Sequence, residues 1–217
     1  MAVAPSTTAL ATLEEAKAYV WREQDHTTDE QDLLCLILNG VSDAVNQYLG
    51  GVFKQTYTEK YDGGVEWIAL RHRPVLSVSS VKELSFDLVE DEDYLVYLEE
   101  GRIRRLPQLS YWPPAYPKQY QSKWAPYPQA VEVAYVAGWA EQERDADGNL
   151  IAVNYQPGGE GIRQAVLVWC YELWHAGPST FADLASERGI LLRPEGIPPH
   201  VRRLLAPYVQ PVAVIGP

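Results

Sequence analysis

From Thr28 to Leu49 apolar side chains recur at helical spacing: Leu33, Leu34, Ile37, Val41, Ala44, Val45 and Tyr48 share a face. Thr28-Asp29-Glu30-Gln31 reads as a capping box before them, and Gly50-Gly51 supplies the stop. Leu36 and Leu38 widen the face, which predicts cover on more than one side. Thr12-Leu13-Glu14-Glu15 opens an earlier helix running to about Gln24. Over residues 161–176 the pattern returns. Ile162, Val166, Trp169 and Leu173 form one stripe, with Leu167, Cys170, Tyr171 and Trp174 around it, a belt wide enough to need partners on both sides. A shorter helix is expected over 179–188 and a helical turn over 200–206, after Pro198-Pro199. Residues 207–217 form a proline-punctuated apolar tail.

Between the helices the period changes to that of strands. Residues 52–61 are rich in aromatic and β-branched side chains, and Asp62-Gly63-Gly64 suits a tight turn with 65–70 as the returning strand. Further strands are expected at 75–84 and 131–136, with a hairpin of 94–98 and 102–106 around Glu99-Glu100-Gly101. From 107 to 128 prolines alternate with Tyr111, Trp112, Tyr116, Tyr120, Trp124 and Tyr127, which predicts a long exposed loop. Residues 141–161 read as a polar connection. The expected fold is α+β: a helical bundle of the N-terminal helices plus the 161–176 helix, a central antiparallel β insertion, and an extended C-terminal tail. Its parts are 1–51, 52–138, 139–206 and 207–217.

Composition narrows the function. The 217 residues carry 18 Lys+Arg against 29 Asp+Glu, a net charge of −11 that disfavours a chain built to clamp nucleic-acid phosphates. Seven Trp and 14 Tyr against 3 Phe mean that most aromatic rings carry a polar tip, which suits contact surfaces. Nothing approaches a membrane-spanning apolar run, and the first ten residues lack a signal-peptide pattern, so a soluble intracellular protein is expected. Cys35 and Cys170 sit in apolar helical patterns and read as buried thiols.

The motifs of catalysis are missing: no G-x-S-x-G, phosphate loop, G-x-G-x-x-G or H-E-x-x-H occurs. His26, His72, His175 and His200 lie singly. Asp145-Ala146-Asp147-Gly148-Asn149 mimics the start of a calcium loop, but Leu150 and Gln156 stand where that loop needs Gly and Glu, so a hairpin turn is the better reading. The acidic run 87–93 reads as a solvated loop. No cofactor or metal is expected. Arg71-His72-Arg73, Arg102, Arg104 and Arg105, and Arg202-Arg203 are the basic clusters; Arg102 and Arg104 share a strand face, and pairing with acids on a protein partner is preferred. The Trp/Tyr loop fits a subunit-contact arm, or a carbohydrate platform built on Trp112, Tyr116, Tyr120 and Trp124.

The order of features resembles a known family. Val45-Asn46-Gln47-Tyr48-Leu49-Gly50-Gly51-Val52-Phe53, Tyr57-Thr58-Glu59-Lys60-Tyr61-Asp62-Gly63-Gly64, Leu70-Arg71-His72-Arg73-Pro74-Val75-Leu76-Ser77-Val78-Ser79-Ser80-Val81, Val131-Glu132-Val133-Ala134-Tyr135-Val136-Ala137-Gly138-Trp139 and Ile162-Arg163-Gln164-Ala165 resemble the head–tail connector, or adaptor, proteins of long-tailed double-stranded DNA bacteriophages. The resemblance spans about residues 10–176, extending to Val201-Arg202-Arg203-Leu204-Leu205-Ala206-Pro207-Tyr208. It implies a structural virion protein without enzymatic activity, made in the host cytoplasm and placed in the neck between capsid and tail. It would form a ring, usually dodecameric, under the portal protein, meeting a downstream neck or tail-completion protein and leaving a channel for DNA, with no sequence-specific contact and no membrane. On that reading Trp112, Tyr116, Tyr120, Trp124, Trp169 and Trp174 serve subunit interfaces. Pro207, Tyr208, Val209, Pro211, Val212, Val214 and Ile215 form a portal-docking tail, and Arg102, Arg104 and Arg105 face the channel or a partner.

Overall fold

The computed structural model describes residues 3–21, 26–107, 122–176, 185–186, 189–190 and 196–209. They form helices and antiparallel sheets, an α+β fold. The chain divides into two compact units, a helical one within Met1–Phe53 and Ala140–Val209, and a β unit whose described residues fall within Lys54–Trp139.

The β unit holds β1 (Gln55–Tyr61), β2 (Trp67–Ala69), β3 (Val75–Glu83), β4 (Phe86–Asp87), β5 (Tyr94–Tyr97), β6 (Arg102–Arg105) and β7 (Val131–Ala137). One sheet has the order β1-β7-β3-β4 and a second the order β2-β6-β5. In β7 Val131, Val133, Tyr135 and Ala137 alternate inward, and the strand is paired on both edges, Tyr135 facing Tyr57 of β1 and Val78 of β3. A strand with neighbours on both sides is the natural seat for such a run. The hairpin expected between β1 and the 65–70 segment is not formed: β1 pairs with β7, and β2 pairs with β6, Ile68 opposite Ile103. Residues 63–65 instead hydrogen-bond to the segment preceding β7, through Gly63 N to Tyr127 O (3.1 Å), Gly64 N to Trp124 O (2.9 Å) and Trp124 N to Val65 O (2.9 Å). Ile68, Val81, Ile103, Trp124, Val131, Val133 and Tyr135 make the core.

In the helical unit α1 (Leu13–Val20) starts at Thr12, whose hydroxyl accepts from Glu15 N while Glu15 accepts from Thr12 N, a complete capping box. α2 (Thr28–Leu49) is capped the same way, but by Thr27 and Glu30; the box sits one residue before the position read from sequence, because the cap and its acid must be three apart. Gly50 ends α2 in the left-handed conformation, φ 74°. α3 (Glu160–Ala176) packs against α1, α2 and α4 (Pro199–Leu205), which accounts for its broad apolar belt. Arg163 pairs with Glu15 of α1 at 3.1 Å, and Tyr208, in a 3-10 turn after α4, reaches back to Gly158 O at 2.8 Å.

The segment read as a structureless connection contains a hairpin, β8 (Ala140–Arg144) and β9 (Leu150–Tyr155). Residues 3–11 run between this hairpin and α2, held by side chains that bond their backbone. Gln142 donates to Ala9 O (2.7 Å), Arg144 to Ser6 O (2.6 Å) and Tyr155 to Leu10 O (2.6 Å). From α2, Asn39 accepts from Ser6 N (2.8 Å) and Ser42 from Leu10 N (3.1 Å), and Ala9, Leu10 and Ala11 are fully buried. Ala185–Ser186 and Gly189–Ile190 form a short antiparallel pair, β10 and β11, so the helix expected over 179–188 does not run through Ser186; the rest of that range lies outside the described residues. Among the described residues no helix is long and apolar enough to cross a membrane.

Candidate functional site

Strand alternation in β6 sends Arg102 and Arg104 outward and Ile103 and Arg105 inward. Arg102 and Arg104 flank the half-exposed Trp67 ring, their guanidinium carbons 6.0 and 5.3 Å from its centroid, and Tyr97 lies against the same ring at 5.0 Å. Each arginine is engaged by an acid of its own chain: Glu100 for Arg102 (3.1 Å) and Glu66 for Arg104 (2.6 Å).

Arg105 corrects the expectation of a channel-facing or partner-facing group, since it is 2% exposed. Its Nε lies 3.2 Å from Glu83 Oε2, Nη1 donates to the carbonyl oxygen of Asp93, and the guanidinium lies 5.7 Å from the Trp124 ring centroid. The other Glu83 oxygen accepts from Ala125 N at 2.6 Å. Burial pushes the Glu83 carboxyl above the usual carboxylate range, against the opposing pull of the Ala125 amide and the Arg105 charge. The cluster ties β3, β6, the turn at Asp93 and the 124–125 segment together.

The interface tryptophans divide. Trp124 is fully buried in the core of the β unit and Trp169 is 2% exposed inside the helical unit, so neither offers surface to a neighbouring subunit or a sugar. Both expectations fail for the same reason: each ring is consumed by its own unit's core. Trp174 is half-buried, edge-on to Trp21 at 5.5 Å and His26 at 6.1 Å, and His26 stacks on Trp21 at 4.0 Å. Trp112, Tyr116 and Tyr120 lie outside the described residues, as do Pro211, Val212, Val214 and Ile215 of the tail. Pro207 and Tyr208 belong to the 3-10 turn, and the Tyr208 ring lies over Gly161, where an added Cβ would come 2.3 Å from its hydroxyl. Val209, which follows the turn, is exposed.

Sequence reading missed one cluster because its members are far apart in the chain. Glu59 Oε2 accepts from the hydroxyls of Tyr61 (2.6 Å) and Tyr135 (2.5 Å), and its Oε1 lies 3.4 Å from Arg71 and 3.6 Å from His72. The two phenol oxygens accept in turn from the amides of Arg71 and His72, and the His72 ring stacks on Tyr57 at 3.8 Å. So Arg71 and His72, like the arginines of β6, pair within the chain rather than awaiting a partner's acid. Burial and the bond to Glu59 push Tyr61 up to about 12 and Tyr135 further, which keeps both as protonated donors. Burial alone would raise Glu59, but the hydrogen bonds from Tyr135 and Tyr61 and the charges of His72 and Arg71 outweigh it and hold the carboxyl below its ordinary 4.5. A depressed carboxyl contributes stability that is present above the ordinary value and lost as pH falls through the folded one. Glu59→Gln should therefore flatten the fall of the urea midpoint between about pH 5 and 3; an unchanged slope would show that Glu59 does not carry it.

The other chemistry is quiet. Cys35 and Cys170 are buried, and burial pushes the Cys35 thiol up to about 11 and Cys170 higher, far from a reactive thiolate. Asp145 Oδ1 accepts from the amides of Asp147 (3.0 Å) and Asn149 (2.7 Å), which makes 145–149 the turn between β8 and β9. His175 bonds Tyr171 O and His200 pairs with Glu172 at 2.6 Å. No cluster of three or more His, Cys, Asp and Glu poised for a metal occurs among the described residues.

No family model and no curated protein matches the chain. Solved structures do. One is a chain from the neck of an empty GTA particle computed with C6 symmetry, at a TM-score of 0.51 and 14% identity, covering 99% of this chain and 96% of that one. Another is from the neck of a native GTA particle computed with C12 symmetry, at a TM-score of 0.46, 14% identity and the same coverage. Over essentially its whole length, the chain shares the α+β fold of a neck protein of the empty GTA particle.

Proposed function

We propose that the chain is a structural, non-enzymatic neck protein of a phage-like particle, a head–tail connector that assembles as a ring under the portal and leaves a channel for DNA. The likeness of fold to a neck chain over 99% of the sequence carries this reading, and the ordered run of connector-like motifs from residue 45 to 165 supports it. A dodecamer is the ring size that the resemblance implies. A net charge of −11 per subunit suits a wall past which DNA slides without being held.

Within this reading Trp174 is, among the described residues, the interface tryptophan with surface left to give, on the same helix as the exposed Tyr171. Trp112, Tyr116 and Tyr120 remain candidates for a subunit arm. Tyr208 roots the tail on its own helical unit, and Val209, Pro211, Val212, Val214 and Ile215 dock on the portal. The carbohydrate reading loses Trp124, which is buried.

Electron microscopy of the protein mixed with the portal of the same particle should show an added ring at the portal; its absence would overturn the reading. Removing residues 210–217, which spares Tyr208, should leave the circular dichroism spectrum and Tm unchanged and abolish portal capture in a pull-down. Undiminished capture would refute docking by the tail.

A further inference from the structure

The β3–β4 hairpin turns through Leu84 and Ser85, and both are left-handed, with φ 49° and 73°. Asn-Gly is the easy sequence for such a two-residue turn; a leucine there strains the backbone. The same tip gathers exposed apolar side chains within six residues: Phe86 is 74% exposed, Val89 53% and Leu84 40%.

The tip is also braced by hydrogen bonds. Leu84 N bonds Ala130 O (2.8 Å) and Leu88 N bonds Val81 O (2.9 Å). Asp93 accepts from Val89 N through its carboxylate (2.8 Å), and the Asp93 carbonyl is held by Leu106 N and the buried Arg105. Glu83, at the base of the turn, is locked by the same arginine. Little conformational freedom is left to lose on docking. Around the apolar residues Asp87, Glu90, Asp91 and Glu92 are exposed, Asp87 facing Lys82 at 3.6 Å.

We propose that the tip from Leu84 to Glu92 is a preformed knob that docks into an apolar pocket rimmed by Lys or Arg on a different protein of the neck. The inference rests on the neck reading. The local charge selects the occupant: the exposed carboxylates of Asp87, Glu90, Asp91 and Glu92 repel the phosphates of DNA and any acidic surface, whereas a basic rim complements them. Phe86, flanked by Leu84 and Val89, is the anchor for such a pocket.

The test replaces the wild-type chain in assembling particles by Leu84→Asn/Ser85→Gly/Phe86→Thr, which supplies the easy turn, or by Phe86→Ser alone, and images the necks by electron microscopy. The triple variant should have a Tm at least equal to wild type, since strain and an exposed aromatic are removed together. Both variants should form the ring on the portal but lose the next neck component, with its occupancy falling at least about tenfold. Retention of that component overturns the proposal. So does loss of the ring itself with wild-type Tm, which would assign the tip to a contact between copies, and so does a lowered Tm in both variants, which would assign it to folding. A wild-type chain that forms no ring overturns the neck reading, and the knob with it.

Discussion

Arg105→Ala should destabilise the protein by about 3–5 kcal/mol, because it leaves Glu83 as an uncompensated charge in the core of the β unit. The side chains are 2% and 4% exposed, so water cannot take over the arginine's role. The guanidinium also holds the Asp93 carbonyl and covers Trp124, and both contacts disappear with it. Denaturant titration followed by tryptophan fluorescence measures the loss. The double variant Glu83→Leu/Arg105→Met should recover much of it, since apolar replacement of a whole buried pair is often close to neutral. If the single substitution costs under about 1 kcal/mol, the pair behaves as a surface ion pair and the burial assigned to it is wrong.

Gly63→Ala should cost about 3 kcal/mol or more, through a clash that no side-chain rotation relieves. A Cβ at position 63 would lie 1.7 Å from Ala125 O and 2.8 Å from its carbonyl carbon, so the backbone of the 124–127 segment would have to move. That movement breaks the Gly63–Tyr127 and Gly64–Trp124 bonds and pulls Trp124 from the core. A control sits in the same chain: Gly148, in the β8–β9 turn, has open space around it, and Gly148→Ala meets only the cost of its φ of 85°. Thermal melts of the two variants should differ widely; equal melting points would remove the close approach at Gly63 as a determinant of the fold.

These two positions show where reading residues in order works and where it stops. Asp62-Gly63-Gly64 is visible as a special site, and Gly64 does carry a positive φ of 84°. Gly63 is needed for another reason, the approach of Ala125, 62 residues downstream, and nothing local to it announces that. Arg102, Arg104 and Arg105 look alike in sequence; alternation on β6 separates the first two from the third. What makes Arg105 an interior residue is Glu83, 22 positions earlier, waiting inside. Trp124 looked like a loop aromatic because its neighbours are Pro, Tyr and Lys, yet the loop's end folds back onto Gly64 and Val65. The Glu59 cluster draws on residues 59, 61, 71, 72 and 135, and only the pairing of β1 with β7 brings the last to the others.

What the sequence determined alone is what is decided within a few residues. The capping box at Thr12, a helix start within one residue of Thr28, the apolar periodicity of α2 and α3, the stop at Gly50 and the β5–β6 hairpin follow from hydrogen bonds and side-chain contacts spanning two to four positions. The α+β class follows from those periods. Tertiary structure alone decided which strand pairs with which, why the 65–70 segment abandons β1 for β6, and which aromatic and charged groups are hidden. A helix satisfies its backbone from its own neighbours, whereas a strand must borrow partners from anywhere in the chain. An arginine or tryptophan is buried only where distant residues have already built the acid and the apolar walls to receive it.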